Sequence, residues 1–295
     1  MVLPSTNQID SQTINNEYKI GANNFDINNL RSMDVRLPQS GPISFSDFRN
    51  LYYYPSQAAI FYDATDSLRT STTWTDLIGN INAILVGNPP HQGTYFSFNG
   101  STQWGKVPSI SNKTNFTASQ QYSVSFWAYF DQVQNDLGNG DNDVVEKWDV
   151  GINRPGGSTS VIPYPYVFRF IRDTDRISAA IYTHTTGTGS GGTASLNNSV
   201  PKNTWNFICG TFDWPQGTMK IYTNGALSAQ TTLSLSSGYI ENNHDLFIMA
   251  RGSTGDSTDA YNRTTGRFAM LMTHARILSA IEIDDFYKSS RGRLI

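Results

Sequence analysis

From residue 123 to residue 130 every second side chain is apolar: Val124, Phe126, Ala128 and Phe130 fall on one side of an extended chain. A period of two lines one face of a β-strand and does not match a helical stripe, which repeats at 3.6. Short runs of the same kind recur at 167–172, 177–183, 205–213, 219–223 and 246–251, so the chain from Ala58 onward reads as a meander of strands. Asn224-Gly225, between 219–223 and a further run at 226–233, predicts a tight hairpin, because both central residues of that turn need positive φ. Asp173-Thr174-Asp175 reads as a second hairpin tip.

One helix is expected near the C-terminus. Ser279-Ala-Ile-Glu282 is a capping box, and Leu278 with Ile283 supplies an apolar staple around it. Its periodicity places Ile281, Phe286 and Tyr287 toward the sandwich, and Asp284, Asp285 and Lys288 toward water. Charged residues are only 15% of the chain, below the ~25% of ordinary domains, which suits a turn-rich all-β protein. A net charge of −3 without a basic run offers no footprint for a phosphate backbone, so nucleic acid is not an expected partner. No stretch approaches the ~20 apolar residues of a membrane span, and the first residues lack the charged and apolar regions of a signal peptide. Synthesis in a cytoplasm without export is the expectation. The single cysteine, Cys209, lies in an apolar run and reads as a buried, inert thiol.

The first 55 residues contain a short repeat. Leu3-Pro4 through Ile9-Asp10, followed by Ile14 and Tyr18, aligns without a gap onto Leu37-Pro38 through Ile43-Ser44, followed by Phe48 and Tyr52; Phe25-Asp26 with Leu30 is a partial third copy. Each copy sets a capping residue between two apolar ones, Ile9/Ile14, Phe25/Leu30 and Ile43/Phe48, the spacing of a stapled helical turn. Turns this short are marginal alone in water and must pack on something. Two readings are open: an arm folded back on the following domain, or a segment that docks on another protein.

Two resemblances bear on this. Leu37-Pro-Gln-Ser-Gly-Pro-Ile-Ser-Phe-Ser-Asp47 resembles segments near the N-termini of many bacteriophage tail and virion proteins, and Ile14-Asn-Asn-Glu-Tyr18 resembles a motif that accompanies them. This implies a virion setting, with residues 1–55 docking on other virion proteins through Ile9, Ile14, Phe25, Leu30, Ile43 and Phe48, and a homo-oligomer in the particle. Further on, Ile60-Phe-Tyr-Asp-Ala64, Trp74-Thr-Asp-Leu-Ile-Gly-Asn80, Phe96-Ser-Phe-Asn-Gly-Ser101, Tyr122-Ser-Val-Ser-Phe-Trp127, residues 205–213, Lys220-Ile-Tyr-Thr-Asn-Gly225 and Leu278-Ser-Ala-Ile-Glu-Ile283 are similar, in order, to concanavalin A-like, laminin-G-like domains. Arg251-Gly252 departs from the Ile-Gly more usual there. The resemblance implies an all-β jelly-roll sandwich over residues 56–295, with a short C-terminal helix.

Because that superfamily includes glycosidases, hydrolysis has to be weighed. A retaining glycosidase needs two carboxylates ~5 Å apart. The glutamates are Glu17, Glu146, Glu241 and Glu282, and none stands in an E-x-D-x-E pattern. His91, His184, His244 and His274 are scattered without metal-ligand spacing, and the Gly-rich run 185–192 lacks the Gly-Lys of a phosphate loop. No enzymatic activity is expected. Calcium is the one cofactor that the residues suggest, through the hard oxygens of Asp141, Asp143, Asp256 and Asp259. Loop aromatics Trp148, Tyr164, Tyr166, Trp214 and Tyr261 are the candidates to stack on sugar rings. Two functions stay open, a fibre-type adhesin contacting host-surface glycans and a head-decoration or cement protein with an inert sandwich; a third, a depolymerase, is disfavoured by the missing carboxylate pattern.

Overall fold

The computed structural model describes residues 55–65, 69–78, 80–116, 120–131, 142–147, 165–171, 178–183, 192–195, 200–232, 244–252 and 260–294. The six apolar residues of the N-terminal repeat therefore lie outside the described residues, as do Asp141, Trp148, Tyr164, Asp256 and Asp259. The chain divides into two units, Ala58–Leu278 and a second that takes in Met1–Gln57 and Ser279–Ile295.

Within Ala58–Leu278 the described strands run β1 Ile60–Asp63, β2 Thr73–Trp74, β3 Ala83–Val86, β4 Phe96–Asn99, β5 Trp104–Val107, β6 Gln121–Tyr129, β7 Asn142–Glu146 and β8 Val167–Ile171. They continue as β9 Ser178–Thr183, β10 Gly192–Ser195, β11 Trp205–Asp213, β12 Thr218–Thr223, β13 Ala226–Thr232, β14 Leu246–Ile248, β15 Arg251–Gly252, β16 Ala260–Tyr261 and β17 Thr265–His274. One sheet is ordered β1-β17-β6-β11-β12-β13 with β4 also on β17; the other is ordered β10-β9-β8-β7-β14-β5-β3-β2; β15 and β16 form a separate ribbon. A single apolar cluster draws on both large sheets: Tyr62, Val124, Phe126, Phe212, Ile221, Phe268 and Leu271 from the first, and Trp74, Leu85, Val107, Val145, Phe168 and Ile248 from the second. This is the expected β-sandwich.

The period of two explains only one face of its central strands. Trp127, Phe207, Cys209, Met270 and Met272 alternate with the core residues of β6, β11 and β17, yet they too are fully buried, so these strands are covered on both sides. The Cys209 thiol is held well above its ordinary pKa by this burial, as an inert core residue should be.

Local chemistry accounts for the strand ends. Asn224 and Gly225 take φ of 51° and 83°, and the Asn224 side-chain oxygen accepts from Phe207 N–H at 2.9 Å, tying the hairpin to β11. The strand expected over 246–251 is interrupted. Met249 adopts φ 59° and its N–H donates to Val144 O, so β14 stops at Ile248 and the chain restarts as β15. Asp76 explains the Trp-Thr-Asp motif: its carboxylate accepts from the N–H groups of Phe61, Ile78 and Ile81 at 2.9, 3.1 and 3.2 Å, satisfying backbone that no sheet pairs. At Gly87, φ is +72° and an added Cβ would stand 2.1 Å from Thr102 O. Gly87→Ala should therefore cost about 2–3 kcal/mol in urea unfolding, from strain plus the backbone clash; an unchanged midpoint would contradict the close approach.

The helix of the second unit, α1, spans Ala280–Ser290 and carries the expected capping box. Ser279 Oγ accepts from Glu282 N–H, and Glu282 Oε2 accepts from Ser279 N–H at 2.8 Å. Its buried face differs from expectation. Ile283 and Phe286 are buried while Ile281 is 73% exposed, because Ile283 and Phe286 share a stripe three residues apart from which Ile281, two positions before Ile283, is rotated away. Lys288 pairs with Asp284 at 2.6 Å on the outward side.

Candidate functional site

Three arrangements on the sandwich carry chemistry. The first is a cleft of about 480 Å³ lined by Arg69, Thr70, Ser71, Asn88, Pro89, Pro90, His91 and Phe96. The loop ahead of β4 brings His91 against the chain ahead of β2, and His91 lies edge-on to Phe96 with ring centroids 5.0 Å apart. His91 Nε2 is 2.6 Å from Ala64 O, an acceptor only, so this nitrogen carries the proton. Nδ1 is then the acceptor, taking Arg69 Nη2–H at 2.9 Å and Gly93 N–H at 3.2 Å. The ring's pKa is lowered, first by partial burial and further by the Arg69 charge, with the Ala64 bond opposing.

The second arrangement is an aromatic platform. Arg267 on β17 lies 4.1 Å from the Tyr129 ring centre and 5.4 Å from that of Tyr95, and Trp205 meets both tyrosines edge-on at 5.7 and 5.5 Å. Register produces this cluster, since Tyr129 pairs with Arg267 on one side and Trp205 on the other. Tyr95, Tyr129 and Arg267 are half-buried, so rings and guanidinium reach solvent together.

The third is a pair of carboxylates on β7. A register shift between Asp143 and Val145 turns Val144 and Val145 both into the core, and Asp143 and Glu146 sit as fully buried acids three residues apart. Asp143 stands 3.2 Å from Arg169 Nε, and Glu146 Oε1 accepts from Gly252 N–H at 3.0 Å. The Glu146 pKa is pushed well up by burial and by Asp143, against the pull of Arg169, Arg251 and the Gly252 bond. Regular strand alternation pairs residues at i and i+2, so a register shift that moves an i,i+3 pair together is not visible in spacing alone.

The candidate residues fare unequally. Tyr166 is fully buried, its hydroxyl donating to Thr114 O at 3.1 Å, and Trp214 is 4% exposed. Both belong to the inter-sheet core and are not loop aromatics open to a ligand. Tyr261, on the β15-β16 ribbon, is 51% exposed. Asp143 is not on an open loop: it is a strand residue held by an arginine, which already supplies the charge a cation would bring. Among the described residues no group of three His, Cys, Asp or Glu is placed to hold a metal ion, and no helix is long and apolar enough to cross a membrane.

Among solved structures, the binding domain of botulinum neurotoxin serotype C1 superposes with a TM-score of 0.56 at 15% identity, over 78% of this chain and 51% of that one. The binding domain of botulinum neurotoxin DC, solved in complex with SialylT, gives 0.54 at 13%, over 79% and 51%. A mutant Trypanosoma rangeli sialidase displaying trans-sialidase activity gives 0.57 at 13%, over 83% and 35%. The chain thus spans about half the length of the toxin domains and less of the sialidase, and at these identities the likeness is one of fold. No curated protein matches the sequence. Residues 99–284 match the laminin-G-type family described as the concanavalin A-like lectin/glucanases superfamily, and over this majority of its length the chain belongs to that family.

Proposed function

We propose that this protein is a structural component of a bacteriophage virion, docked on other virion proteins through residues 1–55, whose lectin-like sandwich binds glycans on the host surface. The observation that carries the binding half is the open cleft, with a guanidinium in its wall and hydroxyl, amide and apolar groups around it. The Tyr95/Tyr129/Arg267 platform and Tyr261 add exposed ring surface of the kind that stacks on sugars. The toxin domain solved with SialylT has the same fold, which makes sugar recognition compatible with it. The docking half rests on the stapled repeat and on its resemblance to virion proteins.

The test is a phage encoding the protein without residues 1–55. Its particles should lack the sandwich by mass spectrometry while the truncated chain accumulates in the lysate, and the full-length protein should adsorb to host cells but not to cells whose glycans have been oxidised with periodate. Incorporation of the truncated chain would overturn docking, and periodate-insensitive adsorption would overturn glycan binding. A depolymerase is the second reading, favoured by the Asp143/Glu146 pair alone. Both acids are sealed from solvent, so the full-length protein should release no reducing ends from host polysaccharide; release abolished by Glu146→Gln would reverse the choice.

A further inference from the structure

Among the described residues that line the Arg69 cleft, one is a cation and none is a carboxylate. Arg69 Nη2 is bonded to His91 Nδ1, a neutral acceptor that orients the guanidinium without neutralising it. The ring keeps that role through neutral pH because its other nitrogen is fixed as the donor to Ala64 O and its pKa is lowered. Arg69 is half-buried and lines the cleft, so its charge is felt by a group that enters there, and an anion gains from it.

The surroundings narrow the anion. Thr70 and Ser71 offer hydroxyls, Asn88 an amide, and Pro89 and Pro90 an apolar edge, a mixture suited to a polyol ring and unsuited to a bare ion. Asn88 is held at φ 53° directly after Gly87, so the turn that follows β3 sets this edge of the cleft. Resting on the glycan-binding reading above, we propose that this cleft is a subsite for an acidic saccharide, in which Arg69 takes a carboxylate or phosphate oxyanion and Thr70, Ser71 and Asn88 take the neighbouring sugar hydroxyls. Guanidinium matches either oxyanion through paired N–H donors, so the source of the charge is left to the ligand.

Saturation-transfer NMR and calorimetry on the full-length protein test this with methyl glucuronide, N-acetylneuraminic acid and glucose 6-phosphate as probes, and methyl glucoside and galactose as neutral controls. At least one anionic probe should bind, more weakly as salt rises, and Arg69→Gln should weaken it by about tenfold or more, the scale of one charge-assisted bond. Because Arg69→Gln could disturb the loop, Ser71→Trp provides a second variant that fills the exposed mouth and leaves the Arg69–His91 pair alone; it should abolish the same binding. Binding of the uronate or sialate alone marks a carboxylate subsite, and of the sugar phosphate alone a phosphate subsite. Neutral sugars binding as tightly, or anionic binding unchanged in both variants, would refute the subsite while leaving glycan recognition standing. Failure of every probe, together with periodate-insensitive adsorption, would remove the glycan-binding reading itself.

Discussion

Replacing Trp74 by Ala is expected to destabilise the sandwich by about 3–5 kcal/mol, the scale measured for deleting a buried large aromatic. Trp74 is 1% exposed and its indole lies 5.4 Å from Tyr62, 5.1 Å from Phe96 and 6.2 Å from Phe268, rings on three strands of the facing sheet. β2, which carries it, is only two residues long and is held by β3 and by one bridge from Trp74 to Arg69, so little backbone bonding could hold this edge once the ring is gone. The cavity would open between the sheets, where close packing prevents neighbours from collapsing into it. Trp74→Phe should cost far less, since it keeps an edge-on ring and removes an indole N–H that has no hydrogen-bond partner. Calorimetry would read the alanine variant as a fall of roughly 10 °C in Tm for a domain of this size. A variant within about 1 kcal/mol of the original protein would mean that Trp74 does not join the sheets as described.

The features that could be read from sequence are those whose cause is local. Asn224-Gly225 needs positive φ wherever it stands, and Ser279 with Glu282 closes a capping box whatever the rest of the chain does. The alternation of Val124, Phe126 and Ala128 likewise assigns one face of β6 to a core. What was hidden depends on partners distant in sequence. Nothing beside Trp127 or Met272 announces that the opposite face is buried too, so Cys209 could be read as inert without the reason being known. Tyr166 and Trp214 looked like loop aromatics because they flank strands, and the core takes them because the strands of both sheets converge there. The Arg69–His91 pair joins residues 22 apart through side chains alone, and neither belongs to a motif. Asp143 and Glu146 were each visible, one as a possible calcium ligand and one as an isolated glutamate; only the register shift in β7 makes them one site.

That buried pair gives the second large effect. Folding raises the Glu146 pKa well above its ordinary 4.5, so the folded state prefers the protonated acid. The sign follows from proton linkage: the stabilisation is fully present below pH 4.5, where the unfolded chain is protonated as well, and is lost as pH climbs from there through the folded-state pKa. Glu146→Gln keeps an oxygen to accept from Gly252 N–H but cannot ionise. The stability difference between the original protein and this variant should therefore be nearly flat in acid and should grow with pH, leaving the glutamine protein ahead by about 2–3 kcal/mol near pH 8, part of the several kcal/mol that an incompletely compensated buried carboxylate costs. Glu146→Ala should gain nothing, because it strands the Gly252 N–H. Asp143→Asn should move the other way, by about 3–5 kcal/mol, since Arg169 would lose the carboxylate it faces at 3.2 Å. Urea titrations of the three variants from pH 4 to pH 8 would decide it. If Glu146→Gln were less stable at the alkaline end, Glu146 would be an ionised partner of Arg251, and the protonated acid on which the depolymerase reading depends would not exist.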